Sequence, residues 1–500
     1  MIIKSNLIDI HTNSIYPVQL EISGNKILSI TKISGPVDHY ILPGFVDAHV
    51  HIESSLLVPT EFARLAVVHG TVATVSDPHE IGNVLGVKGV EFMIENGKKS
   101  PFKFYFGAPS CVPATPFETA GAMIDTTDVD YLLAKPEVKY LAEMMNWPGV
   151  LHKDAEVYKK IALAKKYNKP VDGHAPGLLG EDAANYIAAG ISTDHECFTE
   201  KEALGKLKLG MKILIREGSA AKNFEALANL IHEHADDMMF CSDDKHPDSL
   251  VEGHINSLVK RALKKGIDLF KLLRVACYNP VAHYKLDVGL LREGDLADFI
   301  IIDNPIGFNI IQTYINGECV AEKGVSGLVS VPCIPVNNFN TDPIHKNLLD
   351  VPHTGDSIPI IEVIDGELIT NRMDTFPAVA NNLNVSDIKR DILKVVVVNR
   401  YTNAKPAVAF VKNFGLTVGA LASSVAHDSH NVIAVGVDDA SITAAINLII
   451  QNKGGISAVH TTASKIIPLP VAGLMSDRDG YQIARDYIVI DKMVKHMGSK

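Results

Sequence analysis

The chain has 500 residues, 47% hydrophobic and 21% charged, with a formal net charge of −11 and a single tryptophan. It is too apolar to be disordered, too long for one ordinary domain and too acidic to favour a polyanion, so two or three folded units are expected and DNA or RNA partners are not. No run of about 18 apolar residues predicts a membrane span. The start, Met1 to Asn6, lacks the regions of a signal peptide, and the cysteines at 111, 197, 241, 277, 319 and 333 form no C-x-x-C pair, so a cytoplasmic chain without a disulfide framework is expected.

In chain order, Ile2 to Ile33 reads as short strands, with "YPVQLEISGNKILSI" alternating around a turn at Gly24-Asn25. From Ile41 the pattern changes to apolar β-type runs alternating with helical stretches. The strands are predicted at 41–52, 70–76, 102–108, 138–145, 170–174, 191–195, 212–216 and 238–243. The helices are predicted at 60–69, 85–97, 155–167, 180–189, 199–209, 223–234 and 248–265, with a less regular interval at 109–137. Eight such repeats over about 240 residues fit a (β/α)8 barrel. An open doubly wound sheet is disfavoured, because no phosphate-binding glycine motif follows the first strand. After the barrel, "GLLREGDLADFIIIDNP" and "IIQTYINGECVAEKG" return to short strands, which predicts one small sheet split by the barrel. A Pro- and Asn-rich linker at Val331–Asp342 then leads to further strands and helices. The expected fold is α/β, a TIM-like metallo-hydrolase barrel with a small split β-sandwich and a C-terminal α+β domain. The boundaries are 1–42 with 284–325 for the sandwich, 43–283 for the barrel and 326–500 for the last domain.

The chemistry gathers at predicted strand ends. His49 and His51 form H-x-H on the first barrel strand, where i and i+2 share the inward face. Glu143, His174, His195 and Asp243 end the fourth, fifth, sixth and eighth strands, and strand C-termini open onto the mouth of a barrel. Any one of them alone reads more simply as a satisfied core or capping residue; six at matching positions read as a metal centre. Six nitrogen and oxygen donors exceed one tetrahedral zinc and suit two divalent ions bridged by Glu143, with Mn, Fe or Zn left open. His232-Glu233-His234 repeats the spacing on a predicted helix, where i and i+2 diverge, so it reads as a solvated face.

The motifs "LPGFVDAHVHIE", "SDPHEIGNVLG", "LAEMMNWPGV", "DGHAPGL", "TDHE", "REGSAAKN" and "CSDDKHP", with "SSVAHDSHN" and "LPVAGLMSD" near the C-terminus, resemble the adenine deaminase family of the amidohydrolase superfamily. The resemblance runs over nearly the whole chain, although family members usually extend further past "LPVAGLMSD". It implies hydrolysis of adenine to hypoxanthine and ammonia in purine salvage, on a pair of manganese or iron ions, with zinc also possible. It implies a glutamate at the bridging position, which Glu143 fits. A carboxylated lysine holds that position in many superfamily hydrolases of cyclic amides. Lys139, on the same predicted strand, lies away from the mouth and is taken as structural.

Asp243 is expected to accept the proton of the attacking water and pass protons on to the purine. Glu53, Asp77, His79, Asp244 and Arg216 are candidate substrate contacts. Each has a plainer alternative: a loop carboxylate capping a helix for Glu53, a turn residue before a helix expected near Gly82 for Asp77 and His79, a hydrogen bond to a histidine ligand for Asp244, and a salt bridge for Arg216, which ends the seventh strand together with Ser219. His427 to His430 reads as an extra metal site, a cap or a polar turn, with the last two favoured. A homo-oligomer is expected. The competing functions are another superfamily hydrolase acting on a cyclic amide or N-acyl group, and a non-catalytic scaffold, which would be expected to have lost some of the six donors.

Overall fold

In the computed structural model, which describes residues 1–366 and 369–499, eight short strands follow one another through the predicted β/α region. Lys500, the last residue of the expected C-terminal domain, lies outside the described residues. The strands are Phe45–Val50, Thr71–Ser76, Lys103–Ala108, Val138–Met144, Val171–Gly173, Thr193–Asp194, Lys212–Arg216 and Met238–Cys241. The first five pair in parallel as one sheet and the last three as another. Parallel bridges between Val171 and Ile191 and between Val50 and Asp243 join the two into a closed ring. This is a (β/α)8 barrel, and its interior is filled: every residue of the first two strands is buried. Gly107 on the third strand is required by this packing, since a Cβ there would lie 2.7 Å from the Tyr140 ring and 2.8 Å from Ala142.

The seam between the eighth strand and the first matters most for the site. The Asp243 N–H donates to the His49 carbonyl at 2.9 Å, and the His51 N–H donates to the Asp243 carbonyl at 3.3 Å. Asp243 has φ +52°, a left-handed conformation that Asp adopts more readily than most residues. Asp47 pins the same seam from within the barrel. Its Oδ1 accepts the Ser242 N–H at 3.0 Å, and its Oδ2 accepts the Ser242 hydroxyl and lies 2.8 Å from His254 Nε2. His254 Nδ1 in turn meets the Thr71 hydroxyl at 2.7 Å. A fully buried carboxylate is stable only when bonded in this way.

The helices start where short polar side chains cap them. Asp125 and Asp128 form a reciprocal capping box on Thr126–Leu133, inside the interval whose sequence is irregular. Asp154 caps Ala155–Lys166 and Thr199 caps Glu200–Lys208. Helix Ile255–Lys264 buries Ile255, Leu258, Val259 and Ala262, the spacing of one apolar stripe. One boundary differs from expectation. The helix expected near Gly82 begins at His79, where Asp77 Oδ1 accepts the His79 N–H at 3.1 Å and so satisfies one of the free donors of its first turn. That helix, His79–Leu85, is separated from Val87–Gly97 by Gly86 at φ +61°.

The chain before and after the barrel forms one eight-stranded sheet. Ile2–Asp9, Ser14–Ser23, Lys26–Lys32 and Tyr40–Pro43 supply one half, and Phe299–Ile302, Ile310–Ile315, Glu318–Glu322 and Val325–Ser326 the other. The halves join where Ile41 pairs with Ile301, and Leu7, Val18, Ile41, Phe299 and Ile301 share one apolar core.

The chain divides into two compact units, residues 1–79, 90–112 and 124–331 in the first and 80–89, 113–123 and 332–500 in the second. The second unit is built on another eight-stranded sheet, with Ile392–Val398 and Val432–Gly436 near its centre. Helix Asp439–Asn452 covers it with Ile442, Ala445, Ile446, Ile449 and Ile450, all buried. Among the described residues no helix is long and apolar enough to cross a membrane.

Candidate metal centre at the barrel mouth

The strand ends bring the six expected donors together. His49 lies within the first strand and His51 just beyond it; Glu143 is the penultimate residue of the fourth; His174 and His195 directly follow the fifth and sixth; Asp243 is two residues past the eighth. All are buried except His174, which is half-buried. His49 Nε2 and His51 Nε2 are 3.2 Å apart, and Asp243 Oδ1 lies 3.6 Å from the first and 3.3 Å from the second. Glu143 spans the cluster. Its Oε1 faces His51 Nε2 at 3.5 Å, and its Oε2 faces His174 Nδ1 at 2.8 Å and His195 Nε2 at 3.2 Å.

The electrostatics of this donor set call for cations. Burial would raise the Glu143 carboxyl, yet the His174 and His195 rings hold it well below the usual carboxylate range. Asp243 is likewise held well below it, despite burial, by the rings of His49 and His51 and the charges around it. The reciprocal effect pushes His51 and His195 well up, against the burial that opposes their charging. Left to themselves, His51, His174 and His195 would collect protons to balance the carboxylates, while burial and the neighbouring His195 push His49 down. Divalent ions supply the same balance, and imidazole and carboxylate donors with no thiolate suit first-row metals.

Five further residues were expected to touch substrate, and the structure places them differently from one another. Glu53 is buried in the turn Ile52–Ser55 that follows the first strand. His79 Nδ1 lies 3.4 Å from both Asp77 Oδ1 and Glu143 Oε1, and its ring centroid is 4.7 Å from that of His51, so it stands beside the donors. Asp77 accepts two backbone N–H groups, that of His79 at the helix start and that of Glu143, on Oδ2, at 3.2 Å. Asp244 is half-buried and accepts the Ser54 hydroxyl at 2.5 Å. Arg216 forms the salt bridge that was its plainer alternative: its guanidinium grips both oxygens of Glu196 and donates to Asp243 Oδ2 at 2.8 Å. Ser219 donates to the Ser249 hydroxyl at 3.2 Å and accepts the His246 N–H at 2.8 Å.

Glu196 is the residue that sequence reasoning missed. Its carboxylate lies 3.3 Å from His195 Nε2 and 3.6 Å from His174 Nδ1. Alternation along a strand turns it away from His195, but Thr193–Asp194 ends before either residue, so alternation does not govern them. The signal available was its place in "TDHE", one residue past a strand-end histidine. Lys139 ends 3.2 Å from Asp287 and takes no part in the cluster. Of the solvated face expected at 232–234, His232 and Glu233 are exposed and His234 is half-buried.

A closed parallel barrel with histidines and carboxylates converging at its strand C-termini defines a metal-dependent hydrolase of the amidohydrolase type. The Amidohydrolase family pattern matches residues 40–320, and that of the adenine deaminase C-terminal domain matches residues 367–500. An adenine deaminase of Sulfurovum sp. is 53% identical over 99% of this chain and 91% of its own length. One of Salinibacter ruber is 51% identical over 99% of this chain and 90% of its own. Among solved structures, a β-aspartyl dipeptidase of Fervidobacterium islandicum is similar at 17% identity and a TM-score of 0.49, over 66% of this chain and 99% of that one. The chain belongs to the adenine deaminase family.

Proposed function

We infer that this barrel hydrolyses adenine to hypoxanthine and ammonia. The observation that carries the inference is the convergence of His49, His51, Glu143, His174, His195 and Asp243 at one mouth, in a chain of this family. We assign these six as donors to a pair of divalent ions, Mn2+ or Fe2+, with Zn2+ the next choice. When bound, such a pair lowers the pKa of water and makes hydroxide available at neutral pH.

The protein's own groups do the rest. Glu143 would be shared between the two ions, because its two oxygens face different histidines. Asp243 takes the proton of the attacking water and returns protons toward ring N1 and the departing amine. The C6–N6 bond breaks, ammonia leaves, and the new oxygen stays on C6. Arg216 fixes the Asp243 carboxylate by holding Oδ2, so that Oδ1 faces the histidines. Glu53, His79 and Asp244 are the candidates for the purine edge. Lys139, tied to Asp287, offers no carboxylated bridge of the kind used on cyclic amides, which favours the deaminase reading.

The test is ammonia release by purified, metal-replete protein from adenine, adenosine, cytosine and dihydroorotate. Release from adenine is expected. Release only from a non-purine would overturn the assignment.

A further inference from the structure

We propose that the second unit holds a divalent-metal site of its own, made by Glu80, His427 and His430, for an ion with affinity for imidazole such as Zn2+. Glu80 lies on residues 80–89 and the histidines on the turn after Ala420–Ser423, all within that unit. The Glu80 carboxylate is 2% exposed, and each of its oxygens meets a different imidazole. His427 Nδ1 is 2.6 Å from Oε1, and His430 Nε2 is in contact with Oε2. The two rings stand 5.7 Å apart, centroid to centroid.

The turn is built to make this meeting. The His430 N–H donates to the Ala426 carbonyl at 2.7 Å, and His430 has φ +53°, so the chain doubles back and both histidines face one carboxylate. A merely polar turn would leave both rings in water. Instead His430 is fully buried with Nε2 turned onto the Glu80 carboxylate, whose two oxygens face both rings. A buried carboxylate between two imidazoles is a donor set that a divalent cation completes. The His427 side chain is 40% exposed, which leaves a path for the ion and room for water in its remaining coordination position. Two imidazoles and one carboxylate favour Zn, Fe, Co or Ni over Mg or Ca. Once bound, the ion would tie residues 80–89 to the 426–430 turn and stabilise the unit by linkage.

The experiment is equilibrium dialysis of the chelator-stripped full-length protein against Zn2+ at rising free concentration, with bound zinc read by elemental analysis. Wild type is expected to bind one zinc per chain more than His427→Ala, a variant at a largely accessible side chain. His430→Ala, checked for folding by circular dichroism, is expected to show the same loss of one equivalent. Equal zinc in wild type and His427→Ala would overturn the proposal and leave Glu80, His427 and His430 as a hydrogen-bonded cluster only.

Discussion

In the proposed reaction Asp243 is both donor and base, and its two oxygens have different surroundings. Oδ1 faces His49 and His51, while Oδ2 is held by Arg216 at 2.8 Å. Asp243→Asn keeps the shape and the Oδ1 donor but removes the proton acceptor. It should retain near wild-type metal by elemental analysis while turnover of adenine falls by about 10²–10⁴-fold. Wild-type turnover in that variant would remove Asp243 as the base. The convergence of the six candidate donors was legible in the sequence because each stands at the end of an apolar run that reads as a strand. Glu196, and its place as the partner of Arg216, were not, because its position depends on how the loop turns after a strand of two residues. Periodicity carries no information there.

At the level of elements, the barrel depends on its closing seam, and the seam carries three of the six donors. Asp47 holds that seam through Ser242, and His254 holds Asp47. Asp47→Ala should therefore leave the buried His254 and Ser242 groups unpaired, at about 1–3 kcal/mol each. It should also loosen the His49, His51 and Asp243 positions, with metal retained about 10–100-fold less tightly on dialysis. A variant that melts lower but holds metal as well as wild type would show that the seam is structural only. The strands and most helices were visible as alternating runs of the right length. The early helix start at His79 was hidden because an Asp77 hydrogen bond, not periodicity, marks it.

For the whole molecule, acid is the relevant stress. His69 is buried, with Nε2 2.8 Å from the Leu250 carbonyl, and burial pushes its pKa down to about 4. In the unfolded chain the same ring titrates near 6.5. The unfolded state therefore binds the proton first. Stability is full above about pH 6.5 and is lost as pH falls toward 4, by about 3 kcal/mol from this group at one unit per 1.36 kcal/mol. His69→Gln should flatten that part of the curve of melting temperature against pH, and an unchanged acid limb would show that other groups set it. The overall plan was readable in the sequence, since the split sheet, barrel and C-terminal region differ in periodicity. That residues 80–89 and 113–123 belong to the second unit was not, because local patterning does not record which distant segment a loop joins.

The central claim is that metal at the barrel mouth drives hydrolysis of adenine. The most direct measurement is hypoxanthine and ammonia formed from adenine by the stripped protein as Mn2+ is returned in steps, with bound metal counted in the same samples. The account predicts negligible product without metal, equal amounts of hypoxanthine and ammonia once metal is bound, and activity that reaches its plateau when two ions occupy the barrel. A folded, metal-loaded chain that forms no hypoxanthine, or a stripped chain that forms it at the loaded rate, would contradict it.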